Sequence, residues 1–213
     1  MAFNSLQKRA NHRNKIVLMD RIGGVSPTRS VVFLCAMQSR EFSFSRLWMD
    51  AGLRPSALVG IDWDRNNPAR SRENIAANRA EIPEGTWINQ ELGKALDSLV
   101  GKDGLIDAQC VDNDTWSLPT SRDALANSVK AMRLMKPPCL FTASFILHGR
   151  NGHYFDGFPG EERVRGRGYL EFPERLKVSM GHDLDPWEGP FVGRYIQDRS
   201  NIPMITYSYL RTQ

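Results

Sequence analysis

Val31-Val-Phe-Leu-Cys-Ala36 and Ala57-Leu-Val-Gly-Ile-Asp62 are two short apolar runs separated by an amphipathic stretch, and their reading decides the fold. Each has the length and composition of a strand buried on both faces. Between them Phe44, Leu47, Trp48 and Ala51 recur at i, i+3, i+4 and i+7, which is one helical face, and Gly52 is placed to end that helix. A strand, a helix and a second strand make a parallel pair with a crossover. Open α/β sheets hold ligands at the carboxyl ends of such strands, so Asp62 stands where a carboxylate can accept hydrogen bonds from a ribose diol.

The alternation continues outward. Asn67 and Pro68 predict a helix start, with Asn capping exposed amides and Pro at the first helical position, and the helix runs to about Asn78. Thr86–Asn89 reads as a third strand, followed by a helix marked by Leu92, Leu96, Leu99 and Val100. Gly104–Val111 reads as a fourth strand ending in the polar cluster Asp112-Asn-Asp-Thr-Trp116. Ser121 caps a helix with Leu125, Val129 and Met132 on one face, and Lys136-Pro137-Pro138 stops it. The apolar run Leu140–Leu147 follows as a fifth strand.

This pattern predicts an α/β fold: a doubly wound, mostly parallel, Rossmann-like sheet of about seven strands with helices on both faces. Phe191–Ile196 and Ile202–Leu210 flank turn residues Asp198–Asn201 and read as a C-terminal antiparallel hairpin. Gly149–Gly168, rich in Gly and Arg, reads as a mobile surface loop rather than another crossover helix. Residues 1–29 form a basic lead-in or arm, and residues 30–213 one α/β domain.

A chain of 213 residues that is 41% hydrophobic can bury a full core. No apolar run approaches the ~20 residues that cross a bilayer, so a soluble, cytoplasmic protein is expected. Cys35, Cys110 and Cys139 have neither a CxxC spacing nor an even count, so neither a disulfide framework nor a zinc site is suggested; they are expected to pack as small residues near the sheet centre. No residues are nominated as metal ligands. The net charge of +4 permits attraction to a polyanion without demonstrating it.

The segment Ala131-Met-Arg-Leu-Met-Lys-Pro-Pro-Cys139, leading directly into Leu140–Leu147, resembles the class I S-adenosylmethionine-dependent methyltransferases, in which a helix commonly ends in a Leu-Lys-Pro-Gly-Gly turn before the fifth strand. Those sheets also close with an antiparallel pair, so the resemblance spans Val31 to Leu210. It implies S-adenosylmethionine as cofactor, with Asp62 on the ribose, Trp63 walling the adenine, Gln90 and Glu91 touching it, and Cys35, Ala36, Met37 and Gln38 cradling the amino-acid part.

This chain departs from the family where a glycine-rich turn is usual, since Cys35-Ala-Met-Gln-Ser-Arg-Glu41 contains no glycine. Two accounts stand: Cys35 and Ala36 do the work of glycines, or the pocket is altered. Asp112–Trp116 lies where amino-methylating members carry Asp/Asn-Pro-Pro-Tyr/Trp; the prolines are missing, and Asp112 or Asp114 is read as a general base or as a cap of the turn. Arg150, Arg163, Arg165 and Arg167 accompany Tyr154, Phe155 and Phe158, offering cations for phosphates and rings for bases, so RNA or DNA is the favoured partner together with the basic N-terminus. The leading function is methyl transfer. The alternative is a non-catalytic methyltransferase-like module serving as a nucleic-acid-binding or assembly subunit.

Overall fold

Alternate residues along each strand divide the core into two layers. Val32, Val59, Ile61, Val111, Phe141, Ala143 and Phe145 point to one face of the sheet, and Val31, Phe33, Leu58, Cys110 and Leu140 to the other. The computed structural model describes residues 6–34, 43–114, 121–146, 168–197 and 202–213. Its strands are β1 (Ser30–Leu34), β2 (Leu58–Ile61), β3 (Thr86–Ile88), β4 (Ala108–Asp114), β5 (Cys139–Ile146), β6 (Trp187–Gln197) and β7 (Ile202–Arg211). They form one sheet in the order β3-β2-β1-β4-β5-β7-β6. The first five are parallel, and β7 runs antiparallel between β5 and β6.

Among the described residues, three helices cover each face. α1 (Leu6–Asp20), α2 (Ser43–Asp50) and α3 (Pro68–Glu81) contribute Met19, Trp48 and Ile75 to one layer. α4 (Leu92–Ser98), α5 (Arg122–Leu134) and α6 (Gly168–Met180) contribute Leu96, Met132, Phe172 and Leu176 to the other. The helix starts form as the sequence predicts. Asn67 Oδ1 accepts from Arg70 N at 3.2 Å, and Ser121 Oγ accepts from Ala124 N at 3.3 Å.

Two boundaries differ from the sequence reading. Gly104 adopts φ +78 in a turn closed by Gly101 N donating to Leu105 O, so β4 starts at Ala108. The strand then continues through Asp112 and Asn113 to Asp114, and these residues are strand rather than turn. The second difference is α6, a crossover helix expected nowhere after the fifth strand. Phe172, Leu176 and Met180 repeat at a four-residue interval on its buried face, but Pro173 obscures the pattern. Residues 149–167 of the Gly/Arg segment lie outside the described residues.

Cys110 and Cys139 are fully buried free thiols on neighbouring strands, as expected of small packed residues. Burial pushes the Cys110 thiol well up, and Cys139 up to about 12, so both stay protonated at physiological pH. Cys35 lies outside the described residues. No helix among the described residues is long and apolar enough to cross a membrane.

Candidate functional site

The carboxyl ends of β1, β2, β3 and β4 share one edge of the sheet, and of the residues expected to carry function Asp62, Trp63, Gln90, Glu91, Asp112 and Asp114 are described, each in or just after one of these strand ends. Asp62 directly follows β2 and is 5% exposed. Its main chain is fixed from the β3 side: Asp62 N donates to Ile88 O at 3.0 Å, and Asn89 Nδ2 donates to Asp62 O at 2.9 Å. Its carboxylate is fixed from α3. Asn74 Nδ2 donates to Oδ2 at 2.7 Å, and Ser71 Oγ approaches Oδ1 at 3.5 Å. Burial pushes the pKa of Asp62 above the ordinary carboxylate value, while the bonds from Asn74 and Ser71 pull it back down.

The turn after Asp62 is built by its own polar side chains. Asp64 Oδ1 accepts from Asn66 N at 2.9 Å and Asn67 N at 3.1 Å, and Asp64 N donates to Ser71 Oγ at 2.7 Å. This rigid turn leaves Trp63 outward at 43% exposure, a large ring presented at the edge. Beyond β3, Gln90 and Glu91 are exposed. The Glu91 carbonyl accepts from Lys94 N and Ala95 N to open α4, while its side chain makes no cap.

The two acids expected as bases have different surroundings. Asp112 is 2% exposed and takes Lys15 Nζ on Oδ2 at 2.7 Å and the Thr142 hydroxyl on Oδ1 at 2.5 Å. Lys15, reaching down from α1, is itself 1% exposed. Asp112 therefore sits in a buried ion pair with both oxygens engaged, and not as a cap of a solvated turn. Asn113 points to the opposite face and donates to Ser128 Oγ of α5 at 3.2 Å. Asp114 ends β4, half-buried, in register with Ser144.

Lys15 belongs to a polar seam that sequence periodicity did not reveal. Asn11 Nδ2 donates to Thr206 Oγ1 at 3.1 Å, the Ser144 and Thr206 hydroxyls share a bond of 2.8 Å, and all three residues are buried. A Cβ on Gly193 would stand 2.9 Å from Asn11 Oδ1, so glycine there lets α1 close on β6. The available signal was the run Asn11, His12 and Lys15 at helical spacing on the face that also carries Met19.

Cys35, Ala36, Met37 and Gln38 lie outside the described residues, as do Trp116, Arg150, Arg163, Arg165 and Arg167. The structure therefore brings Asp62, Trp63, Gln90, Glu91 and Asp114 to one edge and locks Asp112 beneath it.

No protein-family model matches the chain, and no curated protein matches it in sequence. Solved structures match it in shape. A protein assigned as a SAM-dependent methyltransferase from Streptococcus mutans superposes with a TM-score of 0.55 at 12% identity, covering 99% of this chain and 50% of that one. The O-methyltransferase from Bacillus cereus in complex with SAH gives 0.56 at 13% identity over 99% of this chain and 84% of that one. An rRNA methylase from Streptococcus thermophilus gives 0.50 at 11% identity over 100% of both chains. The chain spans half the length of the S. mutans protein. The fold is that of the class I S-adenosylmethionine-dependent methyltransferases.

Proposed function

We propose that this chain is an S-adenosylmethionine-dependent methyltransferase whose donor lies across the carboxyl ends of β1, β2 and β4, with nucleic acid as the favoured acceptor. The observation that carries this reading is Asp62, a buried acid at the ligand-binding edge with one oxygen tied to α3 and the other holding only a 3.5 Å contact. An oxygen in that state is suited to accept from a vicinal diol.

Other residues fit the same ligand. Trp63 offers a ring for the adenine, and Gln90 and Glu91 lie past β3 on the adenine side. Cys35, Ala36, Met37 and Gln38, in the turn after β1, are assigned to the amino-acid end. When bound, the donor supplies a methyl group already activated on sulfonium. The work left to the chain is orientation, exclusion of water and acceptance of a proton from the acceptor. Asp114 is assigned the proton, because it ends β4 half-buried at the carboxyl edge, two residues beyond Asp112 of the buried Asp112–Lys15 pair. Asp112 instead anchors β4 beneath the site.

Two features support a nucleic-acid acceptor: the likeness to the S. thermophilus rRNA methylase over the whole of both chains, and the exposed Arg65, two residues after the exposed Trp63 in the turn that leads into α3. Cations next to an open ring suit phosphates and bases. The engaged state of Asp112 and the glycine-free turn favour a second reading, a module that keeps the fold without donor binding.

Calorimetry with S-adenosylmethionine and S-adenosylhomocysteine separates the two. Saturable heat that Asp62→Ala weakens by about 1–3 kcal/mol supports the enzyme. No heat at millimolar ligand supports the module. Filter binding of RNA and DNA oligonucleotides over a salt series tests the acceptor, and affinity that hardly changes with ionic strength rules against phosphate recognition.

A further inference from the structure

Asn67, Ser71, Asn74 and Asn78 recur along α3 at intervals of four, three and four, a polar stripe on the face a crossover helix turns to its sheet. Ser71 and Asn78 are fully buried and Asn74 half-buried, with Ile75 beside them in the core. A polar stripe at this depth needs a reason, because burial of amides and hydroxyls is costly unless they are bonded. For the amino-terminal half of the stripe, the reason is the segment that carries Asp62. Asn67 caps the helix, Ser71 ties Asp64 N and reaches Asp62 Oδ1, and Asn74 holds Asp62 Oδ2.

The contacts on the carboxylate are unequal. Oδ2 receives a short bond of 2.7 Å from an amide with limited rotamer freedom inside a helix, and Oδ1 receives a hydroxyl at 3.5 Å. Among the described residues no other hydrogen bond reaches either oxygen. One oxygen is thus fixed in space and the other is left with acceptor capacity. A freely rotating carboxylate would lose rotational freedom on meeting a diol, whereas one already clamped does not, and preorganisation of this kind raises affinity.

We propose that Asn74 is a positioning residue that orients the Asp62 carboxylate for a ribose diol and so sets the preference of the site for ribonucleosides over their deoxy counterparts. The inference rests on the donor reading given above. Asn74 itself touches no ligand and acts through Asp62.

Three properties separate this role from plain support of the fold. The effect of removing Asn74 depends on the diol, it disappears when Asp62 is absent, and it responds to pH when a second carboxylate is placed there. Asp62 is faced by Asn74 and Ser71 from α3 and by Asn89 from the β3 side, with Asp64 and Arg70 the charged groups acting on it. Asn74→Asp is nearly isosteric and places a like charge against Oδ2. The two acids then share a proton, and only the protonated pair presents an oxygen in the original orientation.

The experiment is calorimetry on the full chain with S-adenosylhomocysteine and its 2′,3′-dideoxy analogue as probes. Asn74→Ala is expected to weaken S-adenosylhomocysteine on the order of tenfold and the dideoxy analogue less than about twofold. In an Asp62→Ala background the same substitution should change neither. Asn74→Asp should bind poorly at pH 8 and regain most of its affinity near pH 5.5, with a far-UV spectrum and melting curve that report an intact fold at both.

Equal weakening of both probes by Asn74→Ala, an undiminished effect without Asp62, or pH-independent binding by Asn74→Asp would overturn the role of Asn74 while leaving the donor site standing. If the unsubstituted chain binds no S-adenosylhomocysteine, the donor reading falls and this inference falls with it.

Discussion

Lys15→Met is the substitution whose outcome the structure specifies most sharply. Methionine keeps an unbranched apolar side chain under α1, with sulfur in place of Cδ and no Nζ, so the packing volume is nearly preserved. What is lost is the 2.7 Å bond to Asp112 Oδ2, between side chains that are 1% and 2% exposed. Asp112 keeps its bond from Thr142 but no counter-charge, and a buried ion left without its partner costs about 3–5 kcal/mol. In a protein of this size each kcal/mol moves the melting temperature by about 2–4 °C, so the loss amounts to roughly 6–20 °C.

Asp112→Asn alone strands the lysine and should cost a similar amount. The double variant, with neither charge buried, should lie within about 2 kcal/mol of the parent, which gives a coupling energy of about 4 kcal/mol or more. Urea titration followed by far-UV circular dichroism at pH 7 measures all four corners of the cycle. Loss of under about 1 kcal/mol on Lys15→Met, or additive losses in the double variant, would refute a buried ion pair joining α1 to β4.

Two further outcomes follow from local geometry. Because burial raises the folded pKa of Asp62 above the ordinary carboxylate value of the unfolded chain, the stability this group contributes is complete below that ordinary value and falls as the pH rises through the folded one. Asp62→Asn should therefore melt higher than the parent at pH 7 and alike near pH 3.5 while binding donor poorly; a lower melting point at pH 7 would mean that the bonds from Asn74 and Ser71 outweigh burial. Gly189→Ala should cost roughly 2–4 kcal/mol in urea, because φ is +139 and the new Cβ would meet Ser208 O at 2.7 Å, whereas Gly104→Ala, at φ +78 in open space, should cost only about 1 kcal/mol.

The elements legible in the sequence are those whose signals are local. Asn67-Pro68 and Ser121 mark helix starts through bonds that span three residues, and the closing hairpin announces itself by strand residues on either side of a short turn. The position of Asp62 directly after β2 was legible as well, since it needs only the end of an apolar strand. The seam under α1 was not, because the partners of Asn11 and Lys15 lie 195 and 97 residues away. A polar face on a helix reads as solvated until those partners are known. The same blindness ended β4 too early: Asp112 and Asn113 resemble a turn, yet each is satisfied inside the sheet, by Lys15 and Thr142 on one side and Ser128 on the other. The clamp on Asp62 was not legible, because nothing in the spacing of Ser71 and Asn74 says which strand end they face.

The placement of β7 bears on how the molecule is made in the cell. A ribosome delivers β6 before β7, yet β6 reaches the rest of the sheet only through β7. Until Ile202–Arg211 has been translated, β5 lacks a neighbour along its outer margin and Asn11 lacks Thr206. The nascent chain thus passes through a stage with unpaired strand margins and an undocked first helix, a form that chaperones bind and that aggregates when synthesis stalls. Synonymous codons that slow elongation shortly before residue 202 should lower the soluble yield more than the same codons placed between α3 and β3.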